Sequence, residues 1–451
     1  MLSPEVFGVW AVVNVVIAVA SVFTDLGFGS SLVQNSEVTE EHYNAVFTLS
    51  VGMGLLLMGT TILCSGLFSR FYDNESLQPI IIATSPIFII NAVGSVGRAK
   101  LYRELNFSAL NVSAIYGALF GGVIGILLAI YKFNVWSLVA QLLVNAVTVT
   151  SLAFVKARWI PRLKINFTIL GELWGYSSRL FVSTLVGTLF GQLDKMVIGK
   201  TASSKDLGYY HRARSLEALI QSVLSESALV VLFPSLCSLK SDAQRHFAVV
   251  NALFSVTAYI GIYLSGFMYL ISYDLIALLF SDKWLSSAEY FKIITIGLFV
   301  YPLGALLSAI LASRGYSAEF LRLSILKYGS ILPAYVLLCI TNTTTFLWAY
   351  VFLTIIALVI SIRYVSKVIE AMSTKFYAPI AHALFICFPL VFVLSHIKLK
   401  ITTPLTNTAV TFLLYTTAYI AISFILKNQS LITLRKVIGN VFRETRHKQA
   451  L

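Results

Sequence analysis

Ser3-Pro4-Glu5-Val6-Phe7-Gly8-Val9-Trp10, near the start of the chain, returns two hundred residues later as Ser203-Ser204-Lys205-Asp206-Leu207-Gly208-Tyr209-Tyr210. The echo continues one residue out of step, with Ser21-Val22-Phe23-Thr24-Asp25 answered by Ser222-Val223-Leu224-Ser225-Glu226. Further on, Leu67-Phe68-Ser69 is answered by Leu279-Phe280-Ser281. Three matches in one order, at offsets of about 200 to 212, read as an internal repeat, which constrains architecture more than any single motif does. Ser203 follows a long apolar stretch that includes Leu180 to Leu193, whereas Ser3 follows two residues. The first copy is therefore expected to lack the helix that opens the second.

Composition says what is being repeated. Of 451 residues 58% are hydrophobic and 12% charged, with mean hydropathy +0.84, whereas a soluble domain carries about 25% charged residues. The chain reads as an all-α integral membrane protein. Apolar runs of about 17 to 25 residues, long enough to cross a bilayer as helix, recur throughout; a membrane β-barrel would alternate in polarity over runs of about ten. Spans are placed at 7–33, 43–66, 79–97, 110–130, 134–155, 173–198, 214–236, 247–270, 290–311, 324–341, 346–362, 377–395 and 404–426. The connections are too short to hold a soluble catalytic domain. A cleavable signal peptide is not expected, because no basic region follows Met1 and no small-residue cleavage site precedes Asp25.

The net charge of +13 is explained by topology and not by nucleic acid. Connections after odd-numbered spans, among them Arg98, Lys100 and Arg103 and the run from Lys156 to Lys164, together with the tail from Lys427 to Lys448, hold roughly twice the Lys and Arg of the opposite face. That face and the C-terminus are predicted to be cytoplasmic. An odd number of spans then leaves Met1 outside, and one further helix before Ser3 would bring both termini inside. Cys64, Cys237, Cys339 and Cys387 are widely spaced in or beside apolar spans, and the six histidines form no cluster, so neither a disulfide frame nor a metal or other cofactor is expected.

The repeats keep the same side of the membrane, which makes them parallel copies related by an axis along the bilayer normal. The expected organisation is two six-helix lobes, at 1–160 without its first helix and at 170–370. A helix pair at 377–426 and a basic cytoplasmic tail at 427–451 follow. The segment Lys156 to Lys164, with Pro161, is the expected linker.

Several motifs carry a family resemblance. They are Leu2-Ser3-Pro4-Glu5-Val6-Phe7-Gly8, Asp25-Leu26-Gly27-Phe28-Gly29, Arg98-Ala99-Lys100-Leu101-Tyr102-Arg103-Glu104-Leu105-Asn106-Phe107, Asp194-Lys195-Met196-Val197-Ile198-Gly199 and Leu207-Gly208-Tyr209-Tyr210. In order and spacing they resemble the polysaccharide transporter family of the multidrug, oligosaccharidyl-lipid and polysaccharide exporter superfamily. The resemblance implies twelve to fourteen helices in two lobes. It also implies a flippase carrying undecaprenyl-pyrophosphate-linked oligosaccharide across the bacterial inner membrane for lipopolysaccharide or exopolysaccharide assembly, beside polymerase machinery. The departure is at the start, where family members carry one more helix.

Such a transporter needs a hydrated, partly cationic cleft, and charges deep in spans cost about 2.5 to 3.5 kcal/mol on insertion, so those present are candidates to line it. In the sixth span Tyr176, Arg179, Ser183, Gly187, Phe190 and Asp194 recur on one helical face, with Lys195 beside them. Arg179 is suited to grip pyrophosphate by paired hydrogen bonds; the competing reading has Arg179 and Lys195 snorkel to opposite interfaces and Asp194 pair with Lys195 or Arg212. Asp25 and its repeat partner Glu226 are candidates to take up a proton or sodium; alternatively Asp25 merely breaks its span with Gly27 and Gly29, and Glu226 pairs with an arginine. Arg98, Lys100 and Arg103 form a cytoplasmic segment expected to meet membrane lipids or the incoming headgroup, or simply to anchor the chain. Glycines at 117, 121, 122 and 125 point to close helix packing, and the tryptophans to interfacial anchoring. A multidrug or metabolite cation antiporter of the same superfamily is the alternative. A membrane oligosaccharide polymerase or glycosyltransferase is less favoured, since the outer connections are modest, and no glycine-rich nucleotide loop supports an ATP-driven pump.

Overall fold

Inside a bilayer, backbone that cannot bond water must bond itself, and the described residues contain helices and no strand. The structure, a computed structural model, describes residues 2–35, 37–226, 243–314, 316–369, 376–397 and 403–435. Helix α1 (Pro4–Asp25) opens on a proline, whose absent N–H has no partner to lose in a first turn. It is followed by α2 (Phe28–Gln34), α3 (Glu40–Phe71), α4 (Leu77–Thr84), α5 (Ile87–Arg103), α6 (Phe107–Ile130), α7 (Val135–Ala157), α8 (Phe167–Thr201) and α9 (Ser204–Gln221). After a π-helical turn at Ser222–Glu226 come α10 (Ala243–Phe280), α11 (Leu285–Ile296), α12 (Val300–Ser313), α13 (Ser317–Leu338), α14 (Thr343–Val368), α15 (Tyr377–His396) and α16 (Pro404–Ile425).

Among the described residues eleven helices, with α4 and α5 taken together as Leu77–Arg103, are long and apolar enough to cross a membrane, and the pair α11 and α12, bent by 41°, makes a twelfth if it is one span. These account for every expected span but 214–236, which starts earlier, as α9, and leaves the described residues after Glu226. Two spans differ in kind from the expectation. The first, placed at 7–33, is broken at Leu26-Gly27, and the third is interrupted at Ser85-Pro86. The long helices α3, α8 and α10, at 32, 35 and 38 residues, run about 48 to 57 Å and so pass well beyond a hydrocarbon core of about 30 Å.

The chain divides into two compact units, Met1–Gly208 and Tyr209–Leu451. The division falls inside α9, one helix later than the lobe boundary read from the repeat, because α8 packs on α1, α2 and α3. In the first unit, α6 lies against α7 through Gly117, Gly121 and Gly125, while Gly122 faces open space, so three of the four glycines admit the close approach expected of them. The expected linker is strapped to α3. The Trp159 indole donates to Glu40 at 2.8 Å, the Arg162 N–H to Asn44 at 2.8 Å and the Lys164 N–H to Thr48 at 3.0 Å. Trp159 is buried against Tyr43 and Phe47. Trp10 and Trp284 are buried too, leaving Trp136, Trp174 and Trp348 as exposed; interfacial anchoring therefore fits only half of the tryptophans.

In the second unit the core gathers around α10, with Phe254, Phe299, Leu303, Leu307 and Ile362 in one cluster. The last helix joins it by a tyrosine ladder. Tyr259 donates to Ser423 at 3.0 Å, Tyr415 to the Tyr263 carbonyl at 3.2 Å and Tyr419 to the Tyr259 carbonyl at 3.2 Å.

Candidate functional site

The break in the first span builds the densest polar junction of the first unit. Leu26 and Gly27 both take positive φ, 50° and 81°, which turns the chain out of α1 and starts α2 at a new angle. A side chain at Gly27 would sit 2.6 Å from the Ser177 carbonyl of α8, so glycine is required there twice over. Asp25 then serves the new helix, its two carboxylate oxygens accepting the Gly29 N–H at 2.9 and 3.0 Å. At the other end Arg103 donates to the Leu32 carbonyl at 2.9 Å and to the Asn35 carbonyl. An acid at the N-terminus and a cation at the C-terminus complement the dipole of the short helix. Ser31 closes the junction with a buried 2.6 Å hydrogen bond to Ser177.

Arg98, Lys100 and Arg103 are engaged within the protein. Arg98 donates to the Asn91 carbonyl of its own helix at 3.0 Å and lies near enough to interact with the Asp25 charge. Lys100 pairs with Glu104 at 3.9 Å, and Arg103 caps α2. The sequence placed these cations at an interface; in the structure Arg103 turns onto the carbonyls at the end of α2, which have no partner within their own helix, and Arg98 lies near the Asp25 carboxylate that ends α1.

At the end of the unit predicted to face outside, the two segments whose sequences echo each other meet. A side chain on Gly8 would overlap the Ser204 carbonyl, and one on Gly208 would overlap the Pro4 carbonyl. Under the 200-residue offset each of these contacts is the image of the other. Glu5 and its counterpart Lys205 interact by charge. Nearby, Lys200 pairs with Asp73 at 2.6 Å.

Along α8, Tyr176, Arg179 and Ser183 are exposed, and Gly171, Gly175, Gly187 and Gly191 have open space beside them. The Arg179 Nε donates to the Gly175 carbonyl at 2.8 Å, its sole hydrogen bond among the described residues. Asp194 stands eighteen residues after Tyr176, five full turns on the same face, yet it is 2% exposed; the stripe is open at the Arg179 end and covered at the Asp194 end. Lys195 donates to Gln192 at 3.0 Å.

In the second unit the buried acid with described surroundings is Glu217, 4% exposed. Arg214 pairs with it, Gln221 donates to it at 2.8 Å, and Arg214 also donates to Tyr350 at 3.2 Å, which meets Tyr301 at 2.8 Å. The expected acid was Glu226; its backbone closes the π-helical turn, and its side chain lies outside the described residues. Lys327, half-buried in the middle of α13, was also missed.

A multi-span helical bundle with broken spans and isolated cations inside it belongs to a class of membrane proteins with a known fold. The structure is similar to that of the lipid II flippase MurJ in an inward closed conformation, at a TM-score of 0.73 and 13% identity over 95% of this chain and 94% of that one. It is also similar to an inward-facing multidrug resistance MATE family transporter of the MOP superfamily, at a TM-score of 0.62 and 15% identity over 82% and 92%. The protein is a multi-pass membrane protein of this fold. Residues 1–289 match the family described as polysaccharide biosynthesis protein, and the chain belongs to that family. Lipopolysaccharide biosynthesis protein WzxC of Escherichia coli (strain K12) is 22% identical over 73% of this chain and 68% of its own length. Succinoglycan biosynthesis transport protein ExoT of Rhizobium meliloti (strain 1021) is 25% identical over 63% of this chain and 58% of its own. Teichuronic acid biosynthesis protein TuaB of Bacillus subtilis (strain 168) is 21% identical over 61% and 58%.

Proposed function

We propose that this protein is a flippase, not an enzyme, moving an undecaprenyl-pyrophosphate-linked oligosaccharide across the bacterial cytoplasmic membrane for assembly of a surface polysaccharide. Arg179 carries the reading. It is an exposed guanidinium inside a span, flanked by Tyr176 and Ser183, with one of its five donors used. That geometry suits the paired oxygens of a pyrophosphate, and its open side leaves room for the sugar. The relatives named for lipopolysaccharide, succinoglycan and teichuronic acid biosynthesis support the substrate class.

Two lobes would alternate access. The crossing of Pro4–Gly8 with Ser204–Gly208 acts as the closed gate at the outer end, and the C-terminus stays in the cytoplasm beside the polymerase machinery. A proton or sodium would be held at Asp25, against Arg98, with Glu217 or Glu226 as the second acid. The test is transport of a short-chain fluorescent analogue of the lipid-linked sugar in proteoliposomes. Arg179→Lys should keep the charge but lose the fork and transport about 10-fold more slowly, and Arg179→Ala slower still. Undiminished transport by Arg179→Ala would reject this role.

A further inference from the structure

Lys292 has no part in that reading, and it sits in an unusual place. It lies on α11 with its ammonium 4.7 Å from the ring centre of Tyr269 and 5.7 Å from that of Tyr273, both on α10. Among the described residues it makes no ion pair. Two tyrosine faces attract a cation but do not neutralise it. Asp274, one residue beyond Tyr273, is held by the Asn407 amide at 2.7 Å. Glu289, one turn earlier on α11, is near enough to act on Tyr273 by charge, but no carboxylate among the described residues reaches ion-pair distance of the Lys292 ammonium.

Two cavities of the second unit explain what the charge is for. Lys292 lines one of about 440 Å³, together with Tyr269, Tyr273, Ser395, Asn407 and Thr411. The other, of about 520 Å³, is apolar and is lined by Ile262, Phe299, Trp348, Leu384, Phe388 and Phe392. Tyr269 and Ser395 border both, so the cavities adjoin. The apolar one opens outward between α14 and α15, where Phe388 is 75% and Trp348 52% exposed. A polar compartment with a cation joined to an apolar one open to the bilayer is the negative image of an anionic amphiphile. We propose that this is a binding site for one anionic phospholipid of the surrounding membrane, its headgroup phosphate on Lys292 and one acyl chain along Phe388 and Phe392. The amphiphile must carry net negative charge, because a zwitterionic headgroup brings its own cation to a compartment that already holds one.

Trp348 makes the site readable by fluorescence. The full-length protein is reconstituted in phosphatidylcholine vesicles with increasing brominated phosphatidylglycerol or brominated phosphatidylcholine, and the signal of Trp348→Phe is subtracted to isolate the one indole. Half-maximal quenching by the anionic lipid is expected at a mole fraction about 5-fold lower than by the zwitterionic one, the effect of one interfacial cation. Lys292→Gln should erase the difference and Lys292→Arg keep it. Equal quenching by the two lipids, or a preference that survives Lys292→Gln, overturns the proposal. So does displacement of the quencher by undecaprenyl phosphate and not by unbrominated phosphatidylglycerol, which would assign the site to the carrier lipid.

Discussion

Alanine at Gly8 and at Gly208 tests whether the crossing of α1 and α9 is a gate. A Cβ on Gly8 would overlap the Ser204 carbonyl, and one on Gly208 the Pro4 carbonyl. Both obstacles are backbone atoms, which cannot rotate aside as a side chain does, so the helices themselves must part. Overpacking of this kind costs about 1–3 kcal/mol, borne by the closed crossing and relieved when it opens. Either substitution should therefore favour the open state by roughly 5- to 150-fold. Because the two contacts are images of one another, the separation that frees one frees the other. The double variant is expected to shift the equilibrium about as far as one single, a non-additivity of about 1–3 kcal/mol that independent sites would not show. The measurement is the rate at which a cysteine introduced by Val9→Cys, in a background without Cys64, Cys237, Cys339 and Cys387, reacts with a membrane-impermeant maleimide. Rates that do not rise in either single variant, or shifts that simply add in the double, would refute the gate.

Three further outcomes are expected. Asp25→Asn keeps an oxygen for the Gly29 N–H and should preserve stability while making transport insensitive to the driving cation gradient, whereas Asp25→Leu should lose both; gradient-dependent flux and detergent unfolding are compared. Arg103→Ala removes the cap on the Leu32 and Asn35 carbonyls and should lower unfolding stability by about 1.5–3 kcal/mol, with hydrogen exchange rising in α2 first. Glu217→Leu leaves the half-buried Arg214 with its acid removed and should cost up to about 3 kcal/mol, while adding Arg214→Met should recover most of it; unfolding midpoints of the two variants decide.

Spans were legible because twenty apolar residues admit one backbone solution in a bilayer. What was not legible depends on neighbours. Asp25 and Gly27 announce a break, but that Asp25 would cap α2 and Arg103 close its far end requires α5 to lie alongside. Glu217 follows Arg214 by three residues at a predicted span edge, where a surface ion pair is the ordinary expectation; the structure buries the glutamate and leaves Arg214 half-buried. A signal did exist for the cations. Assigning Lys and Arg to connections leaves Arg179, Lys292 and Lys327 inside spans, and of these Arg179 alone falls on a polar helical face that marks it from sequence.

The match between Ser3–Trp10 and Ser203–Tyr210 also has a physical reason. Where two copies of a segment cross with reciprocal contacts, each position packs against the neighbourhood of its own image. A bulky residue at Gly8 collides with Ser204 however small Gly208 is, and the reverse holds at Gly208 against Pro4; smallness is demanded of both copies separately. Charge obeys the opposite rule. A duplicated Glu5 would face a second glutamate and repel it, whereas Lys205 attracts it. Identity at the glycines and reversal at the charged position are thus two results of one geometry, and exchanging Glu5 with Lys205 should be tolerated where glutamate at both positions is not.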